Sequence, residues 1–420
     1  KIPRQGGNFA RHQPNKAPMK LGIIREGKVP PDSRTPLTPE QCAHLIRDNR
    51  LDVRVEPSPI RCYPNAEYTD FHVPLSHDMH DCDVLMGIKE VPIDQLIPGK
   101  TYLFFSHTIK AQAYNRKLLQ AILAKNIRLL DYEVMTDERG RRLIAFGKFA
   151  GMVGAHNALW TWGQRTGAFS LPRMKDCFDY EAAKEHYHHI QWPSLKIVVT
   201  GSGRVGTGTI EVLHDMGILQ VSPEEFLENE FDEAVFTQIT PYQYVARKDG
   251  EHFHTRDFYA HPDLYQSIFM PFAAASDIMI NGIFWDKRAP AFFTLDDMRR
   301  PDFRIRVIAD VTCDIAPESS IPATVRPSSI ANPVFGFDPV SEQEIPAFDS
   351  RGIDVMAIDN LPSEMPRDAS RAFGDMFISH ILPELLLPGS KVVERATVAV
   401  DGQLGPHFQY LQEYAGLVEV

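Results

Sequence analysis

Lys89 and Glu90, in Gly87-Ile-Lys-Glu-Val-Pro92, and His107, in Phe104-Phe-Ser-His-Thr-Ile-Lys110, each stand just past a short apolar run. Lysine and histidine are readily tuned into the working pH range, so this pair could carry protons to and from a reacting amine or carbonyl. Spacing alone leaves the bland alternative open, a solvated or capping side chain at a strand end. Arg34, in Asp32-Ser-Arg-Thr-Pro36, and Arg142, in Arg141-Arg-Leu-Ile-Ala-Phe146, could grip carboxylates in a bidentate fork. They read equally as exposed loop arginines. Asp359 closes the apolar run Val355 to Ile358 and reads as a cap or as a site residue.

The second chemical signal is Leu195-Lys-Ile-Val-Val-Thr-Gly-Ser-Gly-Arg-Val-Gly206. An apolar strand runs into Gly201, Gly203 and Gly206, with Arg204 and Val205 between the last two. Ile210, Val212, Leu213 and Met216 then continue at helical spacing. Strand, G-x-G-x-x-G turn and helix in that order are the dinucleotide-binding context. The first glycine permits the turn, the second lets the backbone approach a pyrophosphate, and the third lets helix and strand pack closely. The helix N-terminus adds free N–H groups and a positive dipole end. The ribose signal is displaced. A residue that reads the 2′-hydroxyl of NAD belongs at the end of the next strand, where Leu219-Gln-Val-Ser-Pro-Glu-Glu225 has Ser222, with Glu224 and Glu225 beyond. NAD and NADP are therefore not distinguished.

The elements that must position these residues alternate. Strands are expected over 20–24, 52–55, 84–88, 102–105 and 127–130, with helices beginning at Thr38 and spanning 111–126. Thr38, Pro39 and Gln41 spell a capping box with proline at the first helical position. A long helix over 150–169 leads to a second alternation, with strands at 195–200, 277–284, 304–313 and 354–360 and a final helix over 367–386. The stretch between Val221 and Ser276 is polar and aromatic and reads as an insertion. This pattern predicts an α/β protein with two doubly wound parallel-sheet, Rossmann-like domains and a cleft between them. Residues 19–150 with 362–420 form the expected substrate and catalytic domain, and 151–361 the dinucleotide-binding domain. Lys1 to Pro18, basic and without acids or apolar periodicity, reads as a flexible extension.

The 420 residues carry a net charge of −11, from 44 basic and 55 acidic side chains. That balance argues against a phosphate-backbone partner. No apolar run approaches bilayer length. The five cysteines are scattered with no C-x-x-C pair, which argues against a zinc site and for free thiols in the cytoplasm.

Thr101-Tyr-Leu-Phe-Phe-Ser-His-Thr-Ile-Lys-Ala-Gln112, Leu130-Asp-Tyr-Glu133, Ile280-Asn-Gly-Ile-Phe-Trp285 and Ile358-Asp-Asn-Leu-Pro362 resemble, in order, the lysine–ketoglutarate reductase and L-lysine-forming saccharopine dehydrogenase family. The layout is more distantly similar to alanine dehydrogenase and the transhydrogenase α subunit. The resemblance runs from Met19 to Leu386. It implies hydride transfer to or from a nicotinamide, NAD or NADP, interconverting saccharopine with lysine and 2-oxoglutarate. It also implies an acid–base pair at Lys89 and His107, tuning carboxylates at Glu90 and Glu133, carboxylate ligands at Arg34 and Arg142, and an aspartate near the nicotinamide at Asp359. Gly201, Gly203 and Gly206 match its cofactor loop. The implied partners are small molecules, with homo-oligomerisation open. An alanine dehydrogenase-like enzyme and a non-catalytic NAD(P) sensor are the competing readings.

Overall fold

The computed structural model describes residues 19–49 and 51–417. The extension expected over 1–18 lies outside them. The chain divides into two compact units, one running up to Ile144 and resuming at Gly374, the other Ala145–Phe373. The first junction falls before the expected 150/151 because the long helix Gly147–Thr166 belongs wholly to the second unit, and the second falls at 373/374, beyond the expected 361/362.

The first unit is built on strands β1 (Lys20–Ile23), β2 (Asp52–Val55), β3 (Val84–Met86), β4 (Thr101–Phe104) and β5 (Arg128–Asp131), to which the returning chain adds β16 (Thr397–Val400) and β17 (Gln403–Leu404). Their order is β17-β16-β5-β4-β3-β1-β2, parallel from β5 to β2, with β16 and β17 antiparallel. Leu21, Ile23, Leu85, Leu103, Phe104, Leu129 and Leu130 are all buried, as expected of strands covered on both faces. The chain reverses direction across the sheet between β1 and β3. In open α/β sheets that switch point is where ligands gather, beyond the carboxyl ends of the strands. Thr38 caps its helix, Pro39–Asp48, with both capping-box hydrogen bonds formed. The helix expected over 111–126 is shorter, Arg116–Ala124, because short turns at Thr108–Lys110 and Ala113–Asn115 take up its first residues.

The second unit holds β6 (Lys196–Thr200), β7 (Leu219–Gln220), β8 (Val235–Ile239), β11 (Ile278–Asn281), β12 (Val307–Asp310), β13 (Phe335–Asp338), β14 (Gln343–Ile345) and β15 (Ile353–Met356), and a separate hairpin of β9 (Val245–Arg247) and β10 (Tyr265–Ser267). The order is β14-β13-β15-β12-β11-β6-β8-β7, parallel except for the β13–β14 edge. Two corrections follow. The stretch read as an insertion contains β8, a central strand hydrogen-bonded along β6. The strand that follows β6 in sequence, whose end was to carry the ribose-reading residue, is Leu219–Gln220, and it forms the exposed edge with β8 between it and β6. Ala234-Val-Phe-Thr-Gln-Ile239 carries the β-branched and aromatic composition of a strand, but the polar residues around it mask that signal.

The long helix Gly147–Thr166 lies on the fingerprint helix Arg204–Asp215 backbone to backbone. A Cβ on Gly151 would sit 1.9 Å from the Val205 carbonyl oxygen, and one on Gly208 would sit 1.9 Å from that of Lys148. Thr209 Oγ1 donates to the Gly151 carbonyl at 3.2 Å, tying the two helices at the same level. No rotamer change can relieve a clash with backbone, so Gly151→Ala must push the helices apart. The expected cost is about 1–3 kcal/mol or more of unfolding free energy. Denaturant melts of the purified variant measure it, and a parent-like midpoint would contradict the close approach.

Candidate active site

Four neighbouring strand ends of the first unit converge. After β1 come Glu26, Lys28, Asp32 and Arg34; after β3, Lys89 and Glu90; after β4, His107 and Lys110; after β5, Glu133. The Glu26 carboxylate accepts the backbone N–H of Ile88 at 2.6 Å and of Lys89 at 2.9 Å, fastening the β3 turn to the β1 segment. Burial pushes the Glu26 carboxyl up to about 7, against the lowering pull of those two amides.

Glu90 is buried and joins three strand ends. One carboxylate oxygen meets His107 Nδ1 at 2.6 Å and the other accepts from Lys28 Nζ at 2.7 Å. Burial alone would raise its carboxyl, but the hydrogen bonds from His107 and Lys28 outweigh it and bring it down to about 2. An ionised Glu90 accepts the Nδ1–H of His107, which leaves Nε2 as the position that takes or gives a proton. Burial, reinforced by the charges of Arg34 and Lys28, holds the Lys89 ammonium below its ordinary range. Desolvation is the usual route to a lysine that exchanges protons near neutrality.

Glu133 pairs with Lys110 at 3.3 Å and with the Arg142 guanidinium. Its other oxygen is buried and has no hydrogen-bond partner among the described residues. Burial raises its carboxyl and the two cations more than reverse that. Arg142 is partly exposed, so its guanidinium can reach a ligand. Arg34 lies differently. Its guanidinium is buried and forks onto Asp32 at 2.7 and 3.0 Å. Glu26, Lys28 and Lys110 are members of this cluster that sequence reasoning did not single out. Lys110 had a signal, standing three residues past His107 in the quoted run, but Glu26 and Lys28 had none.

In the second unit the fingerprint forms at the other switch point, between β6 and β11. Gly201 has φ 95°, and a Cβ there would lie 2.7 Å from the Gly282 carbonyl oxygen. A Cβ on Gly206 would lie 2.3 Å from the Gly201 carbonyl oxygen. At Gly203, the N-cap of the fingerprint helix, a Cβ would meet nothing within 4 Å. The outer glycines close the turn, and the middle one opens on space at the N-terminus of the fingerprint helix. These residues fit a dinucleotide pyrophosphate. A cavity of about 240 Å³ extends from Gly201, Ser202 and Gly203 to Tyr244, Ile283 and Trp285. The Ile280–Trp285 run thus borders the fingerprint. Asp359 is exposed past the end of β15, on the same carboxyl edge of the sheet. Glu225 is a helix cap, its carboxylate accepting the Ser222 N–H at 3.0 Å. Thr240, not an acidic residue, follows β8, the strand that neighbours β6. Among the described residues no group of three or more His, Cys, Asp or Glu could hold a metal ion, and no helix is long and apolar enough to cross a membrane.

Two largely parallel sheets, each with its chain reversal at a switch point, make a two-unit α/β fold of Rossmann-like character. Residues 22–153 match the family described as alanine dehydrogenase/PNT, N-terminal domain. A solved L-alanine dehydrogenase superposes with a TM-score of 0.63 over 94% of this chain and 99% of that one, at 14% identity, a likeness of fold alone. The chain is a homologue of the L-lysine-forming saccharopine dehydrogenases and of alpha-aminoadipic semialdehyde synthase. It is 28% identical to the saccharopine dehydrogenase (NAD(+), L-lysine-forming) of Yarrowia lipolytica, over 88% of this chain and 92% of that protein. The alpha-aminoadipic semialdehyde synthase of Arabidopsis thaliana is 30% identical over 93% of this chain and 41% of its own length. The chain spans less than half the length of that relative.

Proposed function

We propose that the protein interconverts saccharopine and water with L-lysine and 2-oxoglutarate, using NAD or NADP. The observation that carries this reading is the Lys89–Glu90–His107 cluster, two proton carriers and a tuning carboxylate on adjacent strand ends, ringed by Lys28, Lys110 and Arg142. Saccharopine bears three carboxylates, so cations must outnumber acids where it binds. Joining an amine to a keto acid and expelling water takes several proton transfers, which a single residue serves poorly.

When bound, the nicotinamide supplies or accepts the hydride. The chain's residues handle the rest. Lys89, held below its ordinary range by burial, takes a proton from the incoming amine or returns it to the leaving water. His107 exchanges a second proton at Nε2 while Glu90 fixes its tautomer through Nδ1. Arg142 orients a substrate carboxylate, and Arg34, forked onto Asp32, adds positive charge to the same cluster. Gly201, Gly203 and Gly206, with the Arg204 and Val205 amides, hold the pyrophosphate, and Asp359 lies toward the nicotinamide end. Free cysteines suit a cytoplasmic setting.

Oxidation of NADH or NADPH followed with lysine plus 2-oxoglutarate, with pyruvate plus ammonia, and with nucleotide alone tests the assignment. Turnover only in the first arm is expected. Turnover only in the second would make it an alanine dehydrogenase-like enzyme, and nucleotide binding with turnover in neither would make it a sensor. The carboxylate role has its own check. Arg142→Gln is expected to raise KM for 2-oxoglutarate by about 10–100-fold and leave KM for the nucleotide unchanged, as loss of a charge-assisted hydrogen bond predicts. Equal KM values for the keto acid would make Arg142 a surface residue. Arg34→Lys is a poorer probe, since it replaces a buried bidentate fork with a single point charge and so disturbs the fold as well as the site.

A further inference from the structure

The turn that carries His107 is strained, and the strain has an identifiable restraint. His107 sits at φ 53°, in the left-handed region that a non-glycine residue occupies only when its surroundings impose it. Neither Glu90 nor Lys28 imposes it, because both touch side chains rather than the turn's backbone. The restraint comes from below. Asp131, the last residue of β5, is fully buried. Its Oδ2 accepts the Ser106 backbone N–H at 3.0 Å and the Ser106 hydroxyl at 2.5 Å. Ser106 Oγ in turn lies 2.7 Å from Thr108 Oγ1 and accepts the Thr108 N–H at 3.2 Å. The residues on both sides of His107 are therefore pinned to one carboxylate. Its other oxygen, Oδ1, accepts the N–H of Glu133 at 2.8 Å. The far half of the loop is tied elsewhere, by Tyr410 to the Ile109 carbonyl at 2.8 Å and Tyr414 to that of Gln112 at 2.6 Å. Asp131 ties the backbone on both sides of His107, directly at Ser106 and through Ser106 at Thr108, while Glu90 holds the ring.

We propose that Asp131 is a positioning residue, locking the left-handed turn that aims His107 at Glu90 and setting Glu133 in register with it. A buried carboxylate spent on two backbone amides and a hydroxyl, at the ends of two adjacent strands, is an expensive way to close a sheet. It is an effective way to hold two site residues at a fixed separation, where a misplacement of about 1 Å can cost on the order of 100-fold in rate. This inference rests on the functional reading above for its rates, but not for its geometry.

The test uses the full chain with Asp131→Asn, which puts an amide N–H against donors, and Ser106→Ala, which removes only the hydroxyl. Expected are a fall in kcat of about 100-fold for Asp131→Asn and about tenfold for Ser106→Ala, with nucleotide Kd unchanged. The limb of the pH–rate profile lost in a His107→Gln variant should be displaced in both. Amide hydrogen exchange at Thr108 and Glu133 should quicken. A merely structural Asp131 would lower Tm and leave kcat and both limbs of the folded protein as in the parent, and that result overturns the proposal. Should Asp131→Asn fail to fold, Ser106→Ala decides on the same readouts. If the parent turns over no substrate, it is the functional reading that fails, and exchange at Thr108 and Glu133 still decides whether Asp131 holds the turn.

Discussion

Lys89→Met and His107→Gln are each expected to lower kcat by about 10²–10⁴-fold, the range that a positioned proton carrier contributes, with nucleotide affinity at the parent level. The two variants should differ in their pH–rate profiles, each losing or displacing one limb. The structure gives each effect a cause. Lys89 is desolvated, and Arg34 and Lys28 add like charge, so its ammonium gives up a proton more readily than a surface lysine does. Methionine keeps the length and apolar stem of the side chain and removes only the amine. His107 loses its proton-carrying Nε2 in the glutamine variant, while the new amide can still face Glu90. Neither side chain belongs to the unit that carries the fingerprint, so nucleotide binding is an internal control. Profiles that keep both limbs, with turnover within a few-fold of the parent, would place the proton carriers elsewhere.

Gly203→Val should weaken nucleotide binding by about two decades while the protein stays folded. A Cβ at this position meets nothing within 4 Å, so the substitution starts into open space. It fills the space that the pyrophosphate must enter and costs at least one charge-assisted hydrogen bond to a helix N–H, each worth about 1.5–3 kcal/mol. Gly206→Val is the contrasting control. Its Cβ would sit 2.3 Å from the Gly201 carbonyl oxygen, so it should lose stability as well as affinity. Calorimetric titration with NADH and NADPH, alongside thermal melts, separates the two. A folded Gly203→Val protein that binds nucleotide like the parent would remove the fingerprint from the cofactor site.

Much of the molecule was legible in the residues because the signals are local. The capping box at Thr38 needs only residues three apart, and both of its hydrogen bonds form. The fingerprint is a continuous strand, turn and helix whose glycines answer to contacts within a few residues and one neighbouring strand. Lys89 and His107 were placed at strand ends by the apolar runs before them, and the runs are strands. Two α/β sheets follow from the alternation itself.

Tertiary structure decided what depends on strand order, which no periodicity encodes. That β8 lies between β6 and β7 moved the ribose-reading position away from the end of Leu219–Gln220, while Glu225 is taken up locally in a capping box with Ser222. Glu26 reaches the Ile88 and Lys89 amides, and Lys28 reaches Glu90, across 62 or 63 residues of sequence, because β1 and β3 are neighbours in the sheet. Arg34 turns onto Asp32 because a buried guanidinium needs a carboxylate at hand. The left-handed turn at His107 exists because Asp131 ends the adjacent strand at the same level as the β4 terminus. Residue type and local pattern chose the chemistry, while the pairing of distant strand ends decided which groups meet, because a hydrogen bond is specified by a position in space rather than along the chain.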